Sequence, residues 1–224
     1  MSNIYTNTGL VNYAKTWLGY PTRYGWGCWG QPVSNTIIAQ KAKQYPDHYD
    51  AARRAALSKL VGKAWLIDCV GLIKGYYWDC KPGGQHVGYN MRSDVSADTM
   101  YSRSNAKGPI STMPEIPGLC VQMKGHIGIY IGNGYVIEST RGSFGDGVVQ
   151  TRLKARQWLH WLECPYITYG EVTKMPEDNK PSTWAKESFE WAVKNKICDA
   201  NTPREILTKE QVAYMIYQAM KGGK

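Results

Sequence analysis

The stretch GHIGIYIGNGYVIEST, residues 125–140, decides the fold, because its apolar side chains recur at every second position. Such alternation is typical of β-strands that bury one face. Gly-Asn-Gly, residues 132–134, separates two alternating runs, as in a β-hairpin. The sequence therefore predicts an antiparallel hairpin in which Ile129 pairs with Ile137.

The length of the hairpin loop determines which side chains share a face. We expect a three-residue loop, in which Ile131 pairs with Tyr135. Glu138 then lies on the His126 face of the sheet, and Gly128 opposite it leaves room for the carboxylate. A two-residue Asn-Gly loop would turn Glu138 towards the isoleucines and bury an unpaired charge, at a cost of several kcal/mol. The register thus predicts a contact between Glu138 and His126.

The periodicity of the chain changes from helical to alternating along its length. Residues 8–21, 45–65 and 69–78 have the apolar spacing of helices, whereas the glycine- and tryptophan-rich stretch 22–32 is predicted to be a loop. Beyond residue 118, short alternating runs predict strands. A helical first half and a strand-rich second half indicate an α+β fold, with helices packed on one face of an antiparallel sheet.

The end of the chain is separated by a charged, proline-containing stretch, GEVTKMPEDNKPS. We expect a first domain over residues 1–168, a linker over 169–181 and a small helical hairpin over 182–224. Two short helices bury little apolar surface by themselves. The hairpin is therefore expected either to dock on another surface or to form a homo-oligomer.

Composition limits the classes of partner. The net charge of +9 predicts attraction to polyanions. No compact basic run alternates with aromatic residues and no zinc-finger spacing occurs, so we expect no nucleic acid partner. Anionic wall polymers or membrane surfaces would attract the same charge.

Two further sequence features concern location. No stretch approaches the roughly 18 apolar residues of a membrane span, and the first residues lack the basic-then-apolar pattern of a secretory signal. The six cysteines form no Cys-x-x-Cys pair, as expected of reduced thiols in a protein made in the cytoplasm.

Cys69 lies in LIDCVGLIKG, residues 66–75, at the expected start of a helix. A helix N-terminus and a neighbouring imidazolium lower a thiol pKa, whereas the adjacent charge of Asp68 opposes ionisation. Gly71 and Gly75 leave one face of the helix without side chains, so that this face can approach a sheet closely. Taken alone, Cys69 is explained at least as well as a buried packing residue. The residues that could act with it must therefore decide whether it is a nucleophile.

A nucleophilic cysteine needs a base, and His126 is the best placed of the four histidines because it begins the strongest strand. With Glu138 as the orienting group, Cys69 and His126 form the arrangement of nucleophile, base and acid. A metal site built from Cys69, His126 and Asp68 lacks a fourth ligand at recognisable spacing, so we expect no metal.

These residues resemble those of the NlpC-type cell-wall cysteine peptidases, which are papain-like. Cys69 in DCVGLIKG, His126 in GHIGIYIGNG and Glu138 in VIEST carry the resemblance, and YGWGCWG, from Tyr24, is similar to the aromatic–Trp-Gly-Gly motif of that family. The resemblance implies a papain-like antiparallel sheet with the nucleophile at a helix N-terminus, and no cofactor. It also implies cleavage of peptidoglycan stem peptides, commonly after D-glutamate, with Tyr24 and Asp68 binding the free amine of the substrate.

The chain departs from that family in three places. Val70 replaces the usual serine, and Glu138 replaces the more common histidine, asparagine or glutamine. An insertion over residues 30–63 follows the aromatic motif. The insertion can reshape the groove, so it bears on the substrate more than on the mechanism.

The last part of the chain, 182–224, resembles half of an S-layer homology repeat. A wall hydrolase with no signal peptide and a separate tail is similar to a phage or prophage endolysin, which acts on the cell wall after release from the cytoplasm. Two alternatives stay open: an N-acetylmuramoyl-L-alanine amidase with the same three catalytic residues, and a non-catalytic wall-binding protein whose cysteine is structural.

Overall fold

The computed structural model describes residues 5–84 and 88–169, together with Trp191 and Lys194. The chain divides into two compact units, Met1–Gly170 and Glu171–Lys224. The predicted helical hairpin, and all of the predicted linker except Tyr169, therefore lie outside the described residues, apart from Trp191 and Lys194. The account below concerns the first unit.

The described part of the chain has an α+β fold, as predicted. None of its helices is long and apolar enough to cross a membrane. The helices are α1 (Asn7–Trp17), α2 (Asn35–Gln44), α3 (Ala51–Ser58), α4 (Cys69–Tyr77) and α5 (Ala97–Arg103). Short 3₁₀ turns occur at Pro46–His48, Met91–Ser93, Ile110–Thr112 and Leu153–Ala155.

Two sheets make up the strand part of the fold. The strands are β1 (Thr22–Tyr24), β2 (Trp29–Pro32), β3 (Trp65–Ile67), β4 (Lys107–Pro109), β5 (Cys120–Met123), β6 (His126–Gly132), β7 (Tyr135–Gly142), β8 (Gly145–Arg152) and β9 (His160–Leu162). The larger sheet has the order β4-β9-β5-β6-β7-β8 and is antiparallel throughout. The smaller has the order β1-β3-β2, in which β1 and β3 run parallel.

The two sides of the β6–β7 hairpin face different surroundings. Ile127, Ile129 and Ile137 are fully buried against α1 and α4. Tyr130 and Val136 belong to a second cluster, which includes Trp158. The alternation in the sequence therefore predicted correctly which side chains share a face.

The loop of this hairpin differs from the prediction. Ile129 pairs with Ile137 as expected, but Tyr135 pairs with Gly132 rather than with Ile131. Asn133 and Gly134 form a two-residue turn, in which both φ angles are positive (55° and 72°), as a type I′ turn requires. A bulge between Tyr130 and Gly132 takes up the extra residue. With the bulge, Ile129 pairs with Ile137, which is the strand register that a three-residue loop would also give.

The predicted loop over residues 22–32 is wrong, because it contains β1 and β2. Both strands pair with β3, which is more than thirty residues later in the chain. Periodicity over three or four residues is too short to be recognised, and the pairing that stabilises these strands is not local. The stretch 45–65 likewise gives a 3₁₀ turn and the short α3 instead of one helix.

Helix α4 approaches the backbone of β2 and its preceding loop very closely. A Cβ built on Gly71 would lie 2.0 Å from the carbonyl oxygen of Cys28, and one on Gly75 would lie 2.8 Å from that of Trp29. Real Cβ atoms do not approach backbone atoms to such distances. The two glycines thus position the start of α4, including Cys69, against the smaller sheet.

Gly71→Ala tests this close packing. We expect the substitution to lower the free energy of unfolding by about 2–3 kcal/mol, or the melting temperature by roughly 4–12 °C, because the backbone must move to admit the methyl group. The matched control is Gly19→Ala, where a Cβ would lie 3.5 Å from its nearest neighbour. Thermal melts followed by circular dichroism measure both. Equal melting temperatures for Gly71→Ala and the wild type would contradict the packing described here.

Candidate active site

The imidazole of His126 is hydrogen-bonded to a buried carboxylate. The Nε2 atom of His126 lies 2.6 Å from Oε2 of Glu138, and Glu138 is completely buried. Gly128 makes room for this contact, since a Cβ there would lie 3.3 Å from the Cβ of Glu138 and 2.6 Å from Cγ1 of Val136. The contact predicted from the hairpin register is therefore present.

The second oxygen of the Glu138 carboxylate has partners of its own. Oε1 accepts hydrogen bonds from the Thr151 hydroxyl and from Nε of Arg156, each at 2.7 Å. Burial opposes ionisation of Glu138, but the hydrogen bonds from His126, Arg156 and Thr151 outweigh it and hold its pKa below the ordinary value. Arg156 also donates to the Thr140 hydroxyl at 2.8 Å. Glu138 is thus an ionised carboxylate inside the protein.

An ionised Glu138 fixes the tautomer of His126. A carboxylate only accepts hydrogen bonds, so Nε2 of the imidazole carries the hydrogen and Nδ1 of a neutral ring is left as the acceptor. Trp158 stacks on the imidazole, with ring centroids 5.5 Å apart and an interplanar angle of 12°. His126 is therefore held with the nitrogen that can act as a base directed away from Glu138.

Cys69 is the first residue of α4 and is buried, with 5% of its surface exposed. Its Sγ lies 4.0 Å from the Gly125 carbonyl oxygen and also interacts with the backbone N–H of Ile127. These are the residues on either side of His126. The start of α4 and the start of β6 therefore meet.

The surroundings of the thiol favour its neutral form. Burial, followed by the charge of Asp68, raises the pKa of Cys69 to about 12, although hydrogen bonds from Ile127, Tyr24 and Val70 act in the opposite direction. The low thiol pKa that a helix N-terminus and an imidazolium can produce is thus not present here. Any attack by Cys69 requires removal of the thiol proton by a base.

Tyr24 is held beside the thiol by Arg53 of α3 and Asp146 of β8. Its hydroxyl interacts with Cys69, and its backbone N–H donates to Oδ1 of Asp146 at 3.0 Å. Arg53, on α3, donates to the Tyr24 carbonyl oxygen and pairs with Asp146 at 2.6 Å. Both backbone groups of Tyr24 are thus bound by one buried arginine and its carboxylate partner.

Asp68 is fully engaged as a structural acceptor. Oδ1 accepts from the N–H of Gly71, which caps α4, and Oδ2 accepts from the N–H of Gly27 at 2.7 Å. Burial raises the pKa of Asp68. The carboxylate nevertheless lies in the wall of a cleft, so helix capping and contact with a ligand are compatible here.

Two clefts meet at Tyr24 and Trp26, which line both of them. The larger, about 670 Å³, includes Cys69 and Asp68 in its lining. The smaller, about 250 Å³, includes His126. The predicted nucleophile and the predicted base therefore open on neighbouring spaces.

The predicted site residues are only partly connected by hydrogen bonds. The described chain has bonds between His126 and Glu138 and between Tyr24 and Cys69, but none between Cys69 and His126. The thiol is instead directed at the Gly125 carbonyl. Catalytic hydrogen bonds are often long without substrate and shorten when it binds. The missing hydrogen bond between Cys69 and His126 therefore describes the protein without substrate.

The metal alternative from the sequence has no support in the geometry. It requires Asp68, Cys69 and His126 to converge on one ion. The Asp68 oxygens accept from backbone N–H groups, and Nε2 of His126 faces Glu138. No group of three potential ligands for a metal ion occurs within residues 5–84 and 88–169.

Three residues around Glu138 and His126 were not predicted, and neither were Arg53 and Asp146, which hold Tyr24. Thr151 shares a face with Glu138, because Glu138 pairs with Val149, two positions earlier on β8. That relation was available from the alternation of the β7–β8 pair. Arg156 and Trp158 follow β8 in irregular backbone, where no periodicity indicates the direction of a side chain.

Alkylation of Cys69 tests the environment of the thiol. In the wild type we expect the rate with iodoacetamide to rise with pH up to about pH 10 without a plateau, because burial raises the thiol pKa to about 12. His126→Ala should give the same profile, because the resting thiol is directed at the Gly125 carbonyl and not at the imidazole. Peptide mass spectrometry separates Cys69 from the other cysteines. A plateau at lower pH in the wild type that disappears in His126→Ala would contradict this resting arrangement and show that His126 accepts the thiol proton without substrate.

Arg156→Met tests the buried ion pair. We expect a loss of about 3 kcal/mol near neutral pH, because the Glu138 carboxylate stays buried without its cation. The pKa of Glu138 is lowered in the folded protein. Ionised Glu138 therefore stabilises the fold at pH values above the ordinary pKa of a glutamate, and this stabilisation is lost as the pH falls. The difference in melting temperature between wild type and Arg156→Met should therefore be largest near neutral pH and shrink below roughly pH 4.

The control for this substitution is Arg152→Met, at the end of β8. Arg152 is exposed and lies over the Tyr135 ring, and it has no ion pair within residues 5–84 and 88–169. Its loss should change the melting temperature little at any pH. A difference for Arg156→Met that does not vary with pH would contradict the assignment of a charged Glu138.

The chain was also compared with known proteins. No protein-family model matches it, and no curated protein matches it. The resemblance to cysteine peptidases therefore depends on the motifs around Cys69, His126 and Glu138.

Proposed function

We propose that this protein is a papain-like cysteine peptidase of the bacterial cell wall, which cleaves an amide bond in a peptidoglycan stem peptide. The observation that carries the proposal is the buried hydrogen bond between Glu138 and His126, beside a cysteine at a helix N-terminus. A structural cysteine has no need of a histidine whose tautomer is fixed by a buried carboxylate. The net charge of +9 also suits an anionic wall.

The first chemical step follows from the tautomer. With substrate bound, the Cys69 thiol turns from the Gly125 carbonyl towards Nδ1 of His126, which takes its proton. Sulfur then attacks the carbonyl carbon of the substrate amide, and the negative charge moves to the carbonyl oxygen. The backbone N–H of Cys69, at the start of α4, has no acceptor within the helix and can stabilise this oxygen.

The second half of the reaction uses the proton that His126 holds. The imidazolium donates it to the amide nitrogen, the carbon–nitrogen bond breaks, and the amine leaves. The acyl group stays on sulfur as a thioester until water, deprotonated by His126, hydrolyses it and restores the thiol. Glu138 stabilises the imidazolium in both halves.

The scissile bond that we propose lies between D-glutamate and the diamino acid of the stem peptide. Support comes from the motif resemblance and from the lining of the larger cleft, where Asp68 and Tyr24 lie beside Cys69. Asp68 could bind a free amine of the substrate while it caps α4. The site of action would be the cell wall, reached after release from the cytoplasm, with the tail binding the wall or joining copies of the chain.

Two observations favour a different function. The thiol pKa of about 12 and the absence of a hydrogen bond between Cys69 and His126 in the described chain suit a buried structural cysteine. A non-catalytic wall-binding protein is therefore the second candidate. A binding function does not explain the ionised Glu138 beside His126, so we rank that function second.

Mass spectrometry of digested muropeptides tests the proposal. We expect the wild type to release a product with a new amine on the diamino acid, and Cys69→Ala to release none while keeping its melting temperature. A new amine on L-alanine would instead indicate the amidase. The matched control is Cys80→Ala, another buried cysteine, whose Sγ lies near the Gly30 carbonyl; it should cleave at the wild-type rate. Equal product from Cys69→Ala would rule out the nucleophile, and no product from any protein would favour the binding function.

Graded substitutions of Glu138 test its role as orienter. We expect Glu138→Gln to lose on the order of tenfold in rate, about 1.4 kcal/mol of barrier, because an acceptor remains but the charge is lost. Glu138→Ala should lose clearly more, since the ring has no partner. Rates on a defined muropeptide, with thermal melts as the folding control, measure this. Wild-type rates in Glu138→Ala would contradict the role assigned to the carboxylate.

A further inference from the structure

The insertion after the aromatic motif supplies part of the larger cleft. Helix α2 belongs to this insertion and begins after Ser34, whose hydroxyl accepts the N–H of Ile37. Ile38 is buried in a core cluster with Cys28 and Leu66. One turn further along the same face, α2 presents Lys41 to the cleft that also contains Cys69.

Lys41 is a buried side chain of α2 that lines the larger cleft. Only 6% of its surface is exposed. Its Nζ lies 3.1 Å from Oε1 of Gln44, and 5.6 Å and 5.7 Å from the ring centroids of Trp29 and Tyr45. No carboxylate lies within ion-pair distance of it in residues 5–84 and 88–169. An ammonium has three donors, and the Gln44 amide oxygen satisfies one.

The other charged groups in the lining of this cleft differ from Lys41. Lys74 pairs with Asp94 at 2.6 Å. Asp68 accepts from two backbone N–H groups, and Asp98 accepts from one backbone N–H and one side-chain amide. Each of these has two hydrogen-bonding partners or an opposite charge. Among the described residues, Lys41 has one hydrogen-bonding partner and no opposite charge, although burying a charge without full pairing is costly.

We propose that Lys41 binds a carboxylate of the substrate on the acyl side of the scissile amide. The acyl half stays on Cys69, and the leaving amine takes its proton from His126. Cys69 lines the cleft of Lys41, whereas His126 lines the smaller one. The substrate group that binds Lys41 therefore belongs to the acyl half of the substrate, which forms the thioester.

The chemistry of the site indicates a carboxylate in particular. One ammonium between two aromatic rings offers two hydrogen bonds and one charge, which matches a single carboxylate. A glutamyl residue joined through its side chain keeps its own α-carboxylate free beside the bond that is cut. This inference rests on the proposed function and names the feature of the substrate that α2 selects.

A pair of substrates tests the inference. They are two synthetic stem peptides, identical except that one has a free α-carboxylate on the glutamyl residue and the other a carboxamide. We expect the wild type to cleave the acid with a kcat/KM at least about tenfold higher, since a hydrogen bond to a charged group contributes about that much or more. Lys41→Met should lose the preference and cleave both peptides at about the wild-type rate on the amide.

The control is Lys43→Met, on the same helix but exposed to solvent. It should keep the full preference for the acid. Lys41→Gln is a second variant in case the methionine disturbs folding, which thermal melts will show. A wild type that cleaves both peptides equally, or a Lys41 variant that keeps the preference, overturns this inference and leaves the peptidase proposal intact.

Binding separates the two proposals if no peptide is cleaved. Calorimetry with Cys69→Ala, which cannot form the thioester, measures the affinity for the acid and for the amide directly. We expect tighter binding of the acid, and loss of that difference when Lys41→Met is added. Equal affinities, or no binding of either peptide, overturn the assignment of Lys41 whatever the outcome for catalysis.

Discussion

The structure of the site depends on one buried negative charge, the carboxylate of Glu138. A completely buried carboxylate is tolerated only when its oxygens are satisfied. Here His126, Thr151 and Arg156 satisfy them, and they come from three separate parts of the chain. The requirement therefore links the β6–β7 hairpin, the end of β8 and the irregular segment that follows it. It also determines which imidazole nitrogen can accept a proton.

The hairpin illustrates how much of the fold the sequence could predict. The alternation through Ile127 and Ile129 fixed which side chains share a face, and the demand that Glu138 be paired fixed the register. The detailed loop was wrong, because a bulge after Tyr130 compensates for the short turn at Asn133 and Gly134. Both backbones satisfy the same side-chain pattern, so the pattern could not distinguish them.

Other features were beyond prediction for a different reason. Strands β1 and β2 are three and four residues long and depend on pairing with the distant β3. Arg156 reaches Glu138 from a segment without periodic structure, and the pKa of Cys69 depends on how deeply the thiol is buried. Local spacing carries no information on any of these. What it did predict, namely α4 beginning at Cys69 and the contact of His126 with Glu138, involves residues within one element or one hairpin.

The ion pair between Arg53 and Asp146 has a consequence for any attempt to shorten the chain. Arg53 belongs to α3, and it binds the Tyr24 carbonyl oxygen together with a carboxylate of β8. Removing α3 would therefore release the backbone of Tyr24 and leave Asp146 with Arg23 alone as its cation among the described residues. A reduced protein made of the sheets and α4 would keep Cys69, His126 and Glu138 but lose the support of the tyrosine beside the thiol.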